Sequence, residues 1–323
     1  MPQAYEYTVG WVCVLQDEYL AACHMLDERY DGRDVVNEND NNIYTLGRIS
    51  EHKVVITCLP KGRTGMTAAA AVAQNMIRSF LALKFILLVG TAGGAPMPDR
   101  DIRLGDVVVS VPQGQLGGVV QYDSGKIIQG GQFERIGHLN SPPTILLGLL
   151  QDMQRRYNDP RKPDKIQEHI KRMDYKPGFR RPTEDRLYRA DYEHQGGKTC
   201  SNCIAAKLEQ RPPRVSDRVI NVHYGTIGSA NSVMKNPQQR DRLARDPNLK
   251  ILCFDMEAAG LMNTVPTLVI RGICNYADSH KNDEWNKYAA VTAAAYTKEL
   301  LTILEPEEEA MPFRGGGNPK SNI

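Results

Sequence analysis

FDMEAAGLMNTVPTLVIRGICNYADSHK, residues 254–281, joins the start of a small-residue helix to a strand of buried type that ends in polar side chains. Met256 and Glu257 open the helix, and Thr267–Ile273 is rich in β-branched residues. A polar cluster follows where that strand would end, formed by Asn275, Asp278 and His280. In open α/β sheets, ligands bind at the carboxyl ends of the strands. The stretch therefore predicts a strand of an α/β fold with a ligand site at its end.

The alternation of strand and helix continues along most of the chain. Apolar runs predict strands at Tyr7–Leu15, Val54–Leu59, Phe85–Val89, Asp106–Val111, Val219–Tyr224 and Ile251–Phe254. Segments of helical composition and spacing predict helices at Asp17–Met25, Gly65–Leu83 and Asp283–Leu304. Such alternation is typical of an α/β domain layered around a central, mostly mixed sheet.

Residues 151–214 interrupt the pattern with prolines, few β-branched residues and more Lys and Arg than Asp and Glu. We interpret them as an inserted, partly irregular segment of one domain that spans residues 1–304. A solvated surface is the ordinary explanation for such a charge-rich stretch. The alternative is that its arginines bind phosphate on a ligand, because guanidinium binds oxyanions bidentately. The arginines in question are Arg180, Arg181, Arg186 and Arg189.

The last residues, 305–323, have the proline, glycine and charge content of a linker or tail, after which further domains can follow. The seven cysteines are an odd number, and several lie in apolar runs, which favours buried thiols over a disulfide framework. These are Cys13, Cys58, Cys253 and Cys274.

The composition points to a small-molecule ligand. At 323 residues, with 41% hydrophobic residues, the chain can bury a large core. A net charge of +2 is too small to indicate a nucleic-acid-binding surface. The sequence has no secretory signal and no apolar run of about eighteen residues, the length that a membrane span requires. We expect a cytoplasmic protein that contacts neither membrane nor nucleic acid and uses no cofactor.

A glycine-rich turn follows one predicted strand in the stretch VGTAGGAP, residues 89–96. Glycines allow backbone N–H groups to approach a ligand closely. The turn lacks the Gly-Lys-Ser/Thr ending of a Walker A loop and the full spacing of a dinucleotide fingerprint. A ligand loop and a tight structural turn explain it equally well.

Two glutamates are candidates for chemistry. Glu18 lies at the junction of the first strand and the first helix, where a carboxylate can accept a proton from water or simply stabilise the helix start. Glu257 has the same two explanations, but its neighbours are small or apolar. A semi-buried carboxylate needs a hydrogen-bonding partner, and sugar hydroxyls would serve.

One further cluster has metal-ligand character. His194, Cys200 and Cys203 supply three of the four ligands that structural zinc requires. No fourth ligand stands at a regular spacing, so the sequence favours the absence of a metal and leaves structural zinc as the alternative.

Four motifs together resemble the superfamily of purine nucleoside and uridine phosphorylases. They are VGWVCVLQDEYLAA (9–22), LPKGRTGMTAAAAVA (59–73), VGTAGGAPMPDRDIRLGDVVVS (89–110), and FDMEAAG (254–260) followed by VIRGICNYADSHK (269–281). The resemblance covers about residues 7–140 and 215–304. It is strongest to the methylthioadenosine nucleosidase branch and to related domains of fungal multidomain receptor-like proteins. It implies a three-layer α/β/α fold with a central mixed, partly barrel-like sheet.

The resemblance also implies roles for individual residues. Met256 and Glu257 match a pair whose carboxylate binds the ribose hydroxyls. Glu18 matches the acid that activates the attacking water in the nucleosidases. Asn275 stands where the family usually has an aspartate that protonates purine N7. The loop beside the sugar and base corresponds to Thr91, Ala92, Gly93 and Val233.

Hydrolysis is favoured over phosphorolysis. The hexameric phosphorylases resembled here carry a Gly-Asp-Pro-x-Arg loop after the first strand and an arginine just before the glycine turn. This chain has LQDEYLAA in the first place and Leu88 in the second. Without those cations a phosphate dianion would be poorly compensated, and Glu18 would repel it.

Asn275 complicates departure of the base. An amide can donate a hydrogen bond to N7, as an asparagine does in the trimeric purine phosphorylases, but it cannot transfer a proton as a carboxylic acid does. The sequence therefore predicts an impaired or substrate-trapping nucleosidase.

The expected substrate is an adenine nucleoside or nucleotide such as adenosine, AMP or ATP. Lys61 and Arg63, with Arg186 and Arg189 of the insertion, are candidates for binding 5′ phosphates. A purine nucleoside phosphorylase and a catalytically silent nucleotide-sensing module are the alternatives. The resemblance also implies a homo-oligomer, at least a dimer.

Overall fold

The computed structural model describes residues 3–30, 39–214 and 218–306. The strands are β1 (Val9–Cys13), β2 (Glu28–Tyr30), β3 (Tyr44–Ile49), β4 (His52–Cys58), β5 (Phe85–Gly94), β6 (Val107–Ser110), β7 (Val119–Gln121), β8 (Gly125–Ile127), β9 (Phe133–Arg135), β10 (Val222–Gly225), β11 (Ile227–Ser229), β12 (Cys253–Asp255) and β13 (Thr267–Asn275). The helices are α1 (Gln16–Met25), α2 (Met66–Ser79), α3 (Thr144–Asn158), α4 (Lys165–Ile170), α5 (Pro237–Arg245), α6 (Ala258–Met262) and α7 (Asn286–Ile303). Short 3-10 turns occur between them.

The central sheet is mixed, as the alternation predicted. Its main path runs β10-β6-β13-β5-β1-β4-β3-β2, and β12 joins β5 from the side and continues to β11 and β7. Strands β13, β5, β1 and β4 are parallel neighbours, whereas β6 runs antiparallel to β13. β1 and β13 are buried along their whole length, which is typical of central strands of a sheet covered on both faces. The described strands do not close into a barrel.

Helices cover both faces of the sheet and complete the expected three layers. Helix α7 packs on β13 and β5 and also contacts α1 and α4. Its closest approach is at Gly272 of β13, where an added Cβ would lie 1.9 Å from the carbonyl oxygen of Ala289. The alanine-rich sequence of α7 permits this approach, because a larger side chain on either element would separate them.

The segment 151–214 is partly built into the core. Helix α3 crosses its first boundary, and α4 packs on α7. Its apolar side chains join the main hydrophobic core at Met153, Ile166, Ile170, Met173 and Phe179. The rest of the segment contains only 3-10 turns and one isolated bridge between Tyr188 and Leu208.

Most predicted elements form, with shifted ends. The predicted strand Phe85–Val89 continues to Gly94, so the glycine-rich stretch is the end of β5 and not only a turn. Strands β2, β3, β7–β9 and β11 were not predicted, and all of them except β3 are only three residues long. All seven cysteines are free thiols. Residues 307–323 of the expected linker lie outside the described residues, and no described helix is long and apolar enough to cross a membrane.

Candidate functional site

A pocket opens where the carboxyl ends of β1, β5 and β13 meet. Parallel pairing brings these three ends to one edge of the sheet, and the start of α6 closes one side. The lining residues are Val14, Leu15, Glu18, Thr64, Thr91, Ala92, Gly93, Ser232, Val233, Met234, Phe254, Asp255, Met256, Glu257, Arg271, Cys274, Asn275, Ala277 and Lys281. A pocket thus lies at the edge of the sheet where the opening stretch predicts a ligand site.

Glu18 is held in this pocket by four hydrogen bonds. Its Oε2 accepts from the backbone N–H groups of Val14 and Leu15 at 2.9 and 3.0 Å. Its Oε1 accepts from the N–H and the hydroxyl of Thr91 at 2.8 and 3.0 Å. The bonds to Val14 and Leu15 cap the start of α1, so Glu18 is a helix-start acid as well as a pocket residue. Four donors fix one orientation of a carboxylate that is only 4% exposed.

Glu257 faces the pocket from the residue before α6. Its Oε1 accepts from the N–H of Gly65 at 3.0 Å, which ties it to the start of α2. Its Oε2 lies 3.8 Å from Nη2 of Arg271. Burial raises the pKa of Glu257 above its usual value of 4.5, and the charge of Arg271 only partly opposes this. The side chain is a buried carboxylate with remaining acceptor capacity.

Arg271 is one of the pocket residues that the sequence analysis did not identify, as are its partner Asp255 and Lys281. Arg271 is completely buried in the middle of β13. Its Nε and Nη2 donate to Oδ2 of Asp255 at 3.0 and 2.5 Å. Its Nη1 has no hydrogen-bond partner in the structure. A charged residue inside a fully buried strand is unusual, and this signal was present in the sequence.

Arg271 and Glu18 approach each other over Gly90 of β5. A Cβ added at Gly90 would lie 2.6 Å from Nη1 of Arg271 and 2.7 Å from Oε2 of Glu18. Both atoms therefore flank the same point, and only glycine leaves it free. The result is a small polar space between the unpartnered Nη1 of Arg271 and the carboxyl group of Glu18.

Asn275 ends β13 at a register irregularity and is 6% exposed. Its Oδ1 accepts from the N–H of Ala277 at 2.9 Å, and its Nδ2 is 3.1 Å from Sγ of Cys274. Ala277 has a φ of 52°, so the turn after the strand is tight. The amide oxygen is engaged within this turn, in the assigned orientation of the amide.

The other two members of the predicted polar cluster point elsewhere. Asp278 lies 3.8 Å from Arg240, and His280 stacks on Tyr188. The lining contains Asn275 but neither of these.

The pocket contains eight of the predicted site residues: Glu18, Thr91, Ala92, Gly93, Val233, Met256, Glu257 and Asn275. It does not contain the four predicted phosphate-binding cations. Lys61 and Arg63 are exposed in the turn before Thr64. Arg186 pairs with Glu184, and Arg189 pairs with Asp191, because each has a carboxylate two residues away. The cation at the pocket is instead the exposed Lys281, beside the buried Arg271.

The chain is similar to a known protein family and to several known proteins. The model of the Phosphorylase superfamily matches residues 8–305. A nucleotide-binding leucine-rich repeat (NLR)-like protein of Hyaloscypha variabilis is 41% identical over 94% of this chain and 30% of its own length. ATP nucleosidase Cap17 of Escherichia coli is 23% identical over 73% of this chain and 39% of its own length. The chain thus spans well under half of these two relatives.

This chain is also similar to nucleosidases over nearly the whole length of both chains. The 5′-methylthioadenosine/S-adenosylhomocysteine nucleosidase of Mycobacterium bovis is 23% identical over 92% of this chain and 96% of its own length. The fold of the corresponding Helicobacter pylori enzyme matches with a TM-score of 0.57 at 14% identity, covering 92% of this chain and 98% of that one. An aspartate-to-asparagine variant of that enzyme, with methylthioadenosine in its active site, matches equally well at 15% identity, covering 93% of this chain and 99% of that one.

Proposed function

This chain belongs to the phosphorylase superfamily, and we propose that it is a nucleosidase that hydrolyses the N-glycosidic bond of an adenine nucleoside or nucleotide. In this reaction the bond between C1′ and the purine breaks, water supplies the hydroxyl at C1′, and the base leaves with a proton. The products are adenine and ribose or ribose phosphate.

The observation that carries the proposal is the charge of the pocket. Glu18 and Glu257 both line it, and Arg271 is already paired with Asp255. A phosphate dianion placed near C1′ would face two carboxylates at short range, which is strongly unfavourable in a partly desolvated site. A neutral water molecule carries no such cost. The geometry therefore supports hydrolysis over phosphorolysis.

Glu18 needs a free lone pair to take a proton from water. A carboxylate has about four lone-pair sites, and four donors occupy those of Glu18. Three of the donors are backbone groups, whereas the Thr91 hydroxyl can rotate away. We expect water to take the place of that hydroxyl, while the unpartnered Nη1 of Arg271 donates to the water oxygen.

Glu257 has the opposite task of holding the sugar. With Oε1 on Gly65 and Oε2 turned towards Arg271, its remaining lone pairs can accept from the two ribose hydroxyls. These hydrogen bonds strengthen as the sugar gains oxocarbenium character, because the hydroxyls become more acidic.

Asn275 faces the leaving base without a transferable proton. Its amide can orient the base, but the purine must then take its proton from solvent, which slows the step. Methylthioadenosine in the active site of an aspartate-to-asparagine variant of a fold neighbour supports the substrate-trapping interpretation. The same feature favours the second candidate function, a nucleotide sensor that binds without turnover.

The preference for an adenine nucleotide is supported by Lys281 and by the similarity to an ATP nucleosidase. An exposed lysine at the pocket mouth can pair with 5′ phosphates without burying charge. The similarity to a longer NLR-like protein supports additional domains beside this one. We also propose a homo-oligomer, on the resemblance alone.

The test is chromatography of adenosine, methylthioadenosine, AMP and ATP incubated with this protein and with Asn275→Asp, with and without phosphate. We expect adenine release that is independent of phosphate and about 10²–10⁴ times faster for Asn275→Asp. Arsenate- or phosphate-dependent release would identify a phosphorylase. Tight binding of a nucleotide with no adenine release by either form would favour the nucleotide sensor over the nucleosidase. If the protein neither binds these compounds nor releases adenine from them, the proposal is wrong.

A further inference from the structure

A group of metal-ligand side chains lies outside the pocket, in the irregular part of the segment 151–214. One ligand atom each of His194, Cys200 and Cys203 lies within 4.8 Å of the others. Cys200 is buried, and His194 and Cys203 are partly buried. On a tetrahedral zinc ion with bonds of about 2.0–2.3 Å, neighbouring ligand atoms are roughly 3.3–3.8 Å apart. To reach that arrangement, His194 must exchange one of its two ring contacts, Nε2 with the carbonyl of Thr199 or Nδ1 with the N–H of Gly196, for the metal.

A candidate fourth ligand, His280, lies beside this group but outside the 4.8 Å that joins the three ligand atoms. His280 follows β13 and is 86 residues from His194, yet the two ring centroids are 5.6 Å apart. Two imidazoles on one tetrahedral zinc ion have centroids roughly 5 Å apart. Nε2 of His280 is buried and has no hydrogen-bond partner in the structure. A metal bond would give this buried nitrogen the partner that it lacks.

Supporting contacts of the kind that surround metal sites are also present. Nδ2 of Asn282 lies 3.8 Å from Sγ of Cys200, as a donor to a thiolate would. The same amide donates to the carbonyl of His280 at 3.2 Å. The ring of Tyr188 stacks on His280 with centroids 4.1 Å apart and fixes its plane. Such outer contacts orient ligands and are a regular part of metal centres.

Residues 188–208 have little regular secondary structure and a small hydrophobic cluster to stabilise them. Between Tyr188 and Leu208 the segment contains only 3-10 turns and one isolated bridge. Its own hydrophobic cluster consists of three buried residues, Tyr188, Tyr192 and Cys200. A core of that size cannot offset the conformational entropy of about twenty ordered residues. Small irregular segments of this kind are commonly stabilised by a metal.

We propose that His194, Cys200, Cys203 and His280 form a structural zinc site. It fastens the segment 188–208 to the loop that directly follows Asn275, the last residue of β13. Cys200 and His280 border the same small cavity as Asn275, so the zinc site supports the pocket wall from behind. On zinc binding the two thiols lose their protons to solvent and the imidazoles bind in neutral form.

The experiment measures metal in the purified protein, expressed with zinc and kept reduced. We expect about one zinc ion per chain by elemental analysis, and near none in Cys200→Ser and Cys203→Ser. Cys23→Ser is the matched control, since this partly buried thiol lies in α1, and it should keep its zinc. Replacement by cobalt should give the thiolate-to-cobalt charge-transfer band of a tetrahedral site in the parent protein and in Cys23→Ser.

Other outcomes overturn the proposal. A zinc-free protein that gives no cobalt band contradicts the site, as does a Cys200–Cys203 disulfide that forms while added zinc stays unbound. Equal zinc content in all three serine variants places the metal elsewhere. If His280→Ala keeps both the zinc and an unchanged cobalt spectrum, His280 is not the fourth ligand. None of these readouts requires catalytic turnover, so they are independent of the proposed nucleosidase activity.

Discussion

Arg271 shows how one residue organises this site. It is buried in a strand of apolar neighbours, and two of its nitrogens pair with Asp255. A buried ion pair of this kind is costly to break because the remaining charge has no partner. Its third nitrogen points at the space beside Glu18. The pocket therefore has a fixed positive group beside the two carboxyl groups of Glu18 and Glu257.

The two explanations of Glu18 can be separated by substitution. In the Asn275→Asp background, Glu18→Gln should lower the rate of adenine release by about 10²–10⁴, since the amide cannot accept a proton. Asp17→Asn is the matched control, because Asp17 is in the same first turn of α1 but does not line the pocket. Equal rate losses in both variants would show that Glu18 only stabilises the start of α1 and accepts no proton in the reaction. Circular dichroism monitors the integrity of the helix.

The pH dependence of adenosine binding should follow the protonation of Glu257. Burial raises its pKa above 4.5, so the carboxylate takes up a proton at a higher pH than an ordinary glutamate. Protonation removes acceptors for the ribose hydroxyls, and adenosine should bind more weakly as the pH falls through this raised pKa. Calorimetric titration across the acid and neutral range measures the effect. Adenine, which has no ribose, and the variant Glu257→Gln should both lack this acid loss.

At the scale of elements, the contact between α7 and β13 determines how firmly the pocket floor is held. Gly272 is opposite Ala289 at a separation that admits no side chain. The pocket residues Cys274 and Asn275 follow on the same strand, so a shift of β13 against α7 would displace them.

Gly272→Ala should therefore lower the free energy of unfolding by about 1–3 kcal/mol, because the new methyl group would force the two elements apart. Gly148→Ala is the opposite control. Gly148 is exposed in α3 with open space around it, and alanine there should stabilise the protein by about 0.4–1 kcal/mol. Urea unfolding of the two variants and of the parent protein measures both changes in the free energy of unfolding, a decrease for Gly272→Ala and an increase for Gly148→Ala. A neutral Gly272→Ala would contradict the close packing.

Local sequence patterns predicted the elements of the pocket better than they predicted its cations. Motifs predicted β1, β5, α6 and β13 because each strand is a local apolar run and each helix has a local spacing. The same reasoning assigned Lys61, Arg63, Arg186 and Arg189 to phosphate, and the structure does not place them at the pocket. Their pairing with nearby carboxylates, or their exposure in a turn, depends on how the loops fold.

At the scale of the molecule, Asp27 joins parts of the chain that are far apart in sequence. It accepts hydrogen bonds from Lys298 of α7 at 2.7 Å and from the N–H of Ser50 at 3.0 Å, and it pairs with Arg172 of the segment 151–214. Partial burial acts to raise the pKa of Asp27, but the hydrogen bonds outweigh it and lower the pKa to about 2.

This link should make stability depend on pH in a defined direction. A carboxyl with a pKa lowered from 3.8 contributes stability above that value and loses it as the pH falls towards 2. Asp27→Asn should therefore cost about 1 kcal/mol at neutral pH, after allowance for solvent screening of a partly exposed group. The difference should vanish near pH 2. Thermal unfolding at both pH values measures it, and Glu51→Gln, at an exposed position, should show no such pattern.

The sequence by itself determined the family, the layered fold and most of the pocket, including Glu18, Thr91, Glu257 and Asn275. The layered fold follows from local apolar runs and helical spacing, and the family and these residues follow from the resemblance that the four motifs carry. Only the tertiary structure decided that Arg271 points at Glu18, that Lys281 is the cation at the mouth, and that His280 lies beside His194. Those facts depend on packing between residues far apart in sequence, where side-chain volume and burial select the contacts.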